Sequence, residues 1–309
     1  MTCSGCGVVR DRERNDPATT GAVCAMMEAP APSPAPESPM TADYLATGFP
    51  QVDASTRTAD YTRCLDLLDS LPYFKTYKAR SDVLLDLHAG PTVLEVGCGL
   101  GHDARRLADL VAPHGRVIGI DSSRRMLEEA RARTAPATGL AFVQADARAL
   151  PCASASVDRC RIDRCLQHIR QPERVIRELA RVLRPGGRLL AYDNDWGTFT
   201  LSSSLREATD IIQARWANAF TNPWIGRDLP RDLLDAGFHA VLVEPSVSLI
   251  RDFALADRVY NLSETLARAV RDGAVTPATA DAWRAEQALP SRTGGFLCSL
   301  TAYTVVGTK

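Results

Sequence analysis

The sequence predicts an α/β fold, a doubly wound, mostly parallel, seven-stranded sheet with helical lid elements. Three observations carry that expectation. From about residue 92, short apolar runs alternate with amphipathic helical segments, a pattern that means right-handed βαβ units with helices on both faces of a parallel sheet. The first run ends in a glycine cluster, Gly97, Gly99 and Gly101. Two further apolar runs follow after helical intervals and bring the strand count to seven.

Residues 1–40 read as a disordered tail, because Pro alternates with small residues between Glu28 and Pro39 and favours extended conformations over a packed core. Residues 41–90 read as an N-terminal helical lid. Tyr61, Cys64, Leu65, Leu68 and Leu71 recur at three- and four-residue steps, and Pro72 is expected to end that helix. A second helix is expected from about Lys75 to His88, before Gly90-Pro91 breaks the chain.

Residues 91–309 read as the core. Strand one is Val93–Val96, followed by a helix carrying Ala104, Leu107 and Val111. Val117–Ile120 is strand two, and the next helix carries Met126, Leu127 and Ala130. Strand three is Ala141–Val143, and strand four lies around 157–162. Pro172 suits the first turn of a helix whose buried stripe is Val175, Ile176, Leu179 and Val182. Strand five is Arg188–Tyr192, a sixth lies near 239–244, and the last runs from Phe296 to Val306. Helical periodicity at 204–221 and 228–236, and a long stretch at 253–288, predict lid insertions at about 197–236 and 253–292.

The 309 residues include 36 basic and 37 acidic side chains, for a formal charge of −1. That balance argues against a nucleic-acid binder that works by bulk charge. No apolar run reaches the roughly 20 residues of a membrane-spanning helix. The first residues show no basic-then-apolar pattern, so a cytoplasmic protein without a secretory signal is expected. The nine cysteines are scattered and expected to be reduced. Cys3 and Cys6 have a metal-ligand spacing but lack a second pair, so no metal is expected.

In open α/β sheets ligands bind outside the carboxyl ends of the strands. Glu95 lies inside strand one, and the glycines after it let the backbone approach a ligand closely. Asp121 ends strand two, placed to accept hydrogen bonds from two ribose hydroxyls. Asp146 ends strand three beside Ala147, in reach of an adenine. A Gly-x-Gly-x-Gly alone would serve a dinucleotide-binding dehydrogenase equally well.

The surrounding residues decide between these. Val93-Leu-Glu-Val-Gly-Cys-Gly-Leu-Gly101 closely resembles the first motif of class I S-adenosylmethionine-dependent methyltransferases, which have a Rossmann-like fold. The resemblance continues through Gly119-Ile-Asp-Ser-Ser123 with Met126, Gln144-Ala-Asp-Ala147, and Leu183-Arg-Pro-Gly-Gly187. Within the family the chain looks most like the ubiquinone/menaquinone-biosynthesis-like small-molecule branch, the methyltransferase-11 type. The resemblance implies S-adenosylmethionine as cofactor. Glu95, Gly97, Gly99 and Gly101 would face its methionine part, Asp121 its ribose, and Ser122, Met126, Asp146 and Ala147 its adenine. Arg164 resembles a further cofactor-contacting position.

Methyl transfer is an in-line displacement, so alignment and exclusion of water matter most. A base is needed only for an acceptor that must lose a proton. His168, after strand four, is the base candidate, and Asp193 or Asp195 could orient it or take a proton. A helix-capping or packing role for His168, and a structural one for Asp193, remain open. Tyr61, Tyr73, Phe74, Tyr77, Trp196, Trp216 and Trp224 could form an apolar cage or simply core. The expected activity is methylation of O, N or C on a small molecule in bacterial specialised metabolism. The alternatives are a lyase or cyclase that keeps the cofactor without methylating, and a non-catalytic scaffold. The expected partner is a small molecule, with no nucleic acid and no membrane. A homodimer is left open.

Overall fold

Seven strands form one sheet in the order β3-β2-β1-β4-β5-β7-β6. They are β1 (Thr92–Val96), β2 (Arg116–Asp121), β3 (Leu140–Gln144), β4 (Val157–Asp163), β5 (Leu183–Leu201), β6 (His239–Ile250) and β7 (Cys298–Thr308). The first five pair in parallel, and β7 runs antiparallel between β5 and β6. This is a computed structural model, and it describes residues 48–135, 139–293 and 295–309. The tail expected over 1–40, with Cys3 and Cys6, lies outside the described residues. Among those described, no helix is long and apolar enough to cross a membrane.

Val93, Leu94 and Val96 are buried because helices cover both faces of the sheet, which is why β1 reads as a continuous apolar run. The chain leaves β1 for β2 on one side and later enters β4 on the other. That divergence opens a crevice at the carboxyl ends of β1 and β4.

Before the sheet come a short 3-10 turn (Phe49–Ala54), α1 (Thr58–Ser70) and α2 (Pro72–Leu84). Pro72 does more than stop α1: it opens α2 at a position that needs no N–H donor, so α2 starts earlier than the periodicity suggests. Within the sheet region lie α3 (His102–Val111), α4 (Arg124–Ala132) and α5 (Pro172–Val182). After β5 come α6 (Arg206–Ala217) and α7 (Ile225–Asp235).

The helical stretch expected at 253–288 is three helices, α8 (Phe253–Tyr260), α9 (Leu262–Arg271) and α10 (Pro277–Thr293). Asn261 (φ 50°) and Gly273 (φ 71°) take left-handed conformations that end the first two. Strands β5 and β6 outrun their expected bounds because β7 pairs with both over most of its length. Pro245 is tolerated within β6, an edge strand with one partner. The extension of β5 carries Trp196 and Phe199, which pack with Trp216 and Tyr260 in one core. Leu94, Ile162, Val175, Ile176, Leu179 and Leu229 pack in another.

Candidate active site

A cavity of about 660 Å³ opens at the carboxyl ends of β1, β2 and β4, beneath the 3-10 turn, α1 and α2. Glu95, Gly97, Gly99, Asp121, Ser122 and Met126 all line it, as do Asp146, Ala147, Arg164 and His168. Two residues of the expected set do not. Gly101 caps α3 at φ 71°, and a Cβ there would meet the Phe142 ring at 2.7 Å, so this glycine serves helix–strand packing. Asp193 is buried behind the wall, accepting hydrogen bonds from the Gln167 and Asn194 amides at 3.1 and 3.0 Å. It makes no hydrogen bond to His168. Asp195 is likewise turned away, held by Arg227 at 2.6 and 2.7 Å.

The glycine turn is tied to the end of β2. Gly97 (φ 74°) and Gly99 (φ 49°) bend the chain back, and the Gly99 amide donates to Asp121 Oδ2 at 2.8 Å. Asp121 Oδ1 accepts from the Ser123 amide at 2.9 Å, and burial pushes its carboxyl up. Each oxygen keeps a lone pair for a ligand hydroxyl. Ser123 is the cap of α4, accepting from Met126 N at 3.1 Å. A second cap comes from a distance. Asp53 accepts from Ser123 Oγ (2.5 Å), Arg124 N (2.9 Å) and Arg125 N (3.2 Å), pinning the 3-10 turn across the cavity edge. Asp146, at the rim, is engaged by the Arg148 side chain at 2.6 Å.

Beneath the glycine turn lies a charge cluster that the sequence did not announce. Arg161, fully buried in β4, pairs with Glu95 Oε1 at 2.5 Å, Asp103 at 3.2 Å, and Asp163. Lys78, buried on α2, reaches Asp103 at 2.9 Å and Asp69 at 3.2 Å. Arg164 adds a contact to Asp163 at 3.1 Å. Arg106 pairs with Asp103 at 3.1 Å and with Asp82, so Arg161, Lys78, Arg164 and Arg106 face Asp69, Asp82, Glu95, Asp103 and Asp163. Burial pushes the Glu95 carboxyl up to about 8, against the opposing charge of Arg161 and with the Asp103 and Asp163 carboxylates adding to the rise. For Asp103 burial works the same way, but Arg161 and Lys78 outweigh it and hold the group near 2. Glu95 Oε2 is buried, and no hydrogen-bond partner meets it among the described residues. An Arg inside a strand reads as a surface residue. Glu95 and Arg161 are register partners on neighbouring strands, a pairing that the sequence does not show.

Part of the cavity wall is aromatic. Trp196 stacks on Phe220 (4.3 Å, 15°), and Trp216 meets Trp196 edge-on at 5.8 Å. Tyr73, Phe74 and Tyr260 line it too, beside aliphatic residues such as Leu68, Val259 and Leu300. Of the other aromatics considered, Tyr61 and Tyr77 are buried outside the lining and Trp224 is exposed. Tyr77 stacks on Tyr192 at 3.9 Å and donates to Asp163.

His168 faces the cavity from a short 3-10 turn (Leu166–His168), between Phe49 and Phe220. Gln167, missed in the sequence, sets its hydrogen bonding. The indole N–H of Trp196 can only donate, and it donates to Gln167 Oε1 at 2.8 Å. The Gln167 amide nitrogen therefore points the other way, donating to His168 Nε2 at 3.2 Å. That bond occupies the free lone pair of the imidazole. Burial and the nearby Arg164 charge push His168 down to about 3, so it is neutral and a poor proton acceptor.

Comparison with known proteins bears on the family and the fold. Residues 93–187 match the family described as a methyltransferase domain. The chain is 37% identical over 248 residues to an uncharacterised 37.1 kDa protein of transposon TN4556 from Streptomyces fradiae, covering 80% of this chain and 71% of that one. It is 28% identical over 199 residues to a demethylmenaquinone methyltransferase of Shouchella clausii, covering 58% of this chain and 85% of the relative. Among solved structures, a Bacillus halodurans C-125 protein superposes with a TM-score of 0.54 at 19% identity, over 75% of this chain and 98% of that one, a likeness of fold. With the methyltransferase domain spanning β1 to the start of β5, the chain belongs to the class I S-adenosylmethionine-dependent methyltransferases.

Proposed function

We propose that the cavity binds S-adenosylmethionine along the ends of β1 and β2 and methylates a small, flat, largely apolar acceptor held in its aromatic half. The single observation that carries the cofactor assignment is the buried, unpartnered Glu95 Oε2 beside the glycine turn. A carboxyl oxygen left without a hydrogen-bond partner in the interior is costly, and an ammonium group would satisfy it in the ionised form. Asp121 offers its remaining lone pairs to a diol, and Ser122, Met126 and Ala147 offer a slot for an adenine ring.

When bound, the cofactor supplies an electrophilic methyl group. The protein's own contribution is alignment and dryness. Trp196, Trp216 and Phe220 exclude water and orient a planar acceptor. His168, neutral and already bonded by Gln167, contributes a wall and not a proton acceptor. The helices over the cavity would act as the lid, and bacterial specialised metabolism is the setting we infer, by analogy.

Calorimetric titration with S-adenosylmethionine, repeated on Asp121→Ala, tests the reading. Binding that the substitution abolishes supports it. Folded wild-type protein that binds no cofactor would overturn it. With the cofactor bound, mass spectrometry of candidate acceptors separates a methylated product from one rearranged without a change in mass.

A further inference from the structure

Arg164 follows β4 in a left-handed conformation (φ 50°), with its guanidinium 4.8 Å from the Phe74 ring centre. Its Nε donates to Asp163 Oδ1 at 3.1 Å. Its two terminal nitrogens donate no hydrogen bond among the described residues, although the side chain is only 18% exposed. Asp163 offsets this charge only in part, since it also pairs with Arg161 and accepts from Tyr77. A charged, planar pair of donors therefore opens onto the cavity that Arg164 lines. The guanidinium fork matches a carboxylate or phenolate oxygen, and a charge-assisted hydrogen bond there is strong.

We propose that the methyl acceptor carries an anionic oxygen and that the terminal nitrogens of Arg164 bind it. This rests on the methyltransferase reading of the cavity and adds the charge of its substrate. The anion has two sources. A carboxylate would be a handle that positions a separate nucleophile. An acidic phenol or enol would itself be the nucleophile, its proton lost to solvent beforehand. A bond then forms from the acceptor to the methyl carbon, the carbon–sulfur bond breaks, and its electron pair goes to sulfur. Where the phenolate or enolate attacks, no protein base is required, in keeping with a neutral His168.

The groups around Arg164 leave a clean window for a pH test. Tyr73 and Tyr77 from α2, Tyr192 from β5, and Tyr260 from α8 are all pushed up, chiefly by burial. Burial also raises Cys64, on α1, to about 11, while His168 lies at about 3. Asp193, bonded to the Gln167 amide, is raised to about 8. These groups keep their charge between about pH 5 and 7, so a change in binding there reports the probe.

The experiment uses the full chain saturated with S-adenosylhomocysteine and measures binding of 2-naphthoate, neutral 2-naphthalenemethanol and 4-nitrophenol. The expected result is that 2-naphthoate binds about tenfold or more tighter than the neutral isostere, the order of a charge-assisted hydrogen bond. Arg164→Met should erase that preference and Arg164→Lys keep part of it, each variant being measured at a saturating concentration of S-adenosylhomocysteine. A pH-independent preference for 2-naphthoate identifies the handle. Affinity for 4-nitrophenol that rises with its ionisation identifies the nucleophile. Equal binding of the charged and neutral probes, no binding of 2-naphthoate, or a preference that survives in Arg164→Met overturns the proposal. Failure of the wild type to bind S-adenosylhomocysteine would instead overturn the methyltransferase reading of the cavity.

Discussion

Glu95 and Arg161 stand opposite each other in the register of β1 and β4, and their side chains meet at 2.5 Å beneath the glycine turn. Arg161 is fully buried and also holds Asp103 and Asp163. Removing it would leave Glu95 without its cationic partner in the interior, while Asp103 keeps Lys78 and Asp163 keeps Arg164. Arg161→Met is expected to cost about 3–5 kcal/mol, the scale for breaking a buried ion pair from one side. Urea unfolding of the variant checks this, and a loss below about 1 kcal/mol would show that the cluster relaxes into solvent.

The same pair predicts a proton release. In the free protein Glu95 is raised to about 8 and is mostly protonated at pH 7. An ammonium group against Oε2 favours the ionised form, which lowers that value, so cofactor binding should expel up to one proton. Affinity should then rise with pH below about 8. Calorimetry at pH 7 in buffers of different ionisation enthalpy reads the released proton directly. Glu95→Gln should remove the buffer dependence.

Asp193 gives a stability signature. Its carboxyl is raised from the ordinary range to about 8 by burial, so the folded state holds a proton that the unfolded state releases near pH 4. The folded protein binds more protons in that window, and stability falls as pH rises through it. The slope is at most about 1.4 kcal/mol per pH unit. Asp193→Asn should flatten this fall, as followed by the melting temperature between pH 4 and 8.

His168 works in the opposite direction and gives a catalytic test as well. Held near 3, it is neutral when folded and takes a proton on unfolding below about 6.5, so it removes stability as pH falls from there toward 3. His168→Asn should weaken that acid loss. It should lower turnover less than about tenfold, whereas loss of a working general base costs about 10²- to 10⁴-fold. A larger loss in the rate of methyl transfer would restore the proton-transfer role.

The features legible in the sequence were those built from neighbouring residues. A strand, a glycine turn and a helix follow one another directly, so Glu95, Gly97, Gly99 and Asp121 could be placed on the cavity from their order alone. Gly101 shared that motif but answers to Phe142, a packing partner on β3. Arg161 and Asp53 were hidden because their partners lie 66 and 70 residues away and only the sheet register and the folded-over 3-10 turn bring them together. Asp193 was misplaced for a related reason. Its position at a strand end was clear, but the turn carrying Gln167 bonds its carboxylate on the far side of the wall. The true length of β5 depended on β7, about a hundred residues later in the chain, for which no local pattern exists.

The most direct measurement is a crystal structure of the protein with S-adenosylhomocysteine. The account predicts the ribose hydroxyls on Asp121 and the amino group on Glu95 Oε2, with the sulfur facing the chamber of Arg164, Trp196 and Phe220. A ligand bound with its amino group away from Glu95, or with its sulfur closed off from that chamber, would contradict it.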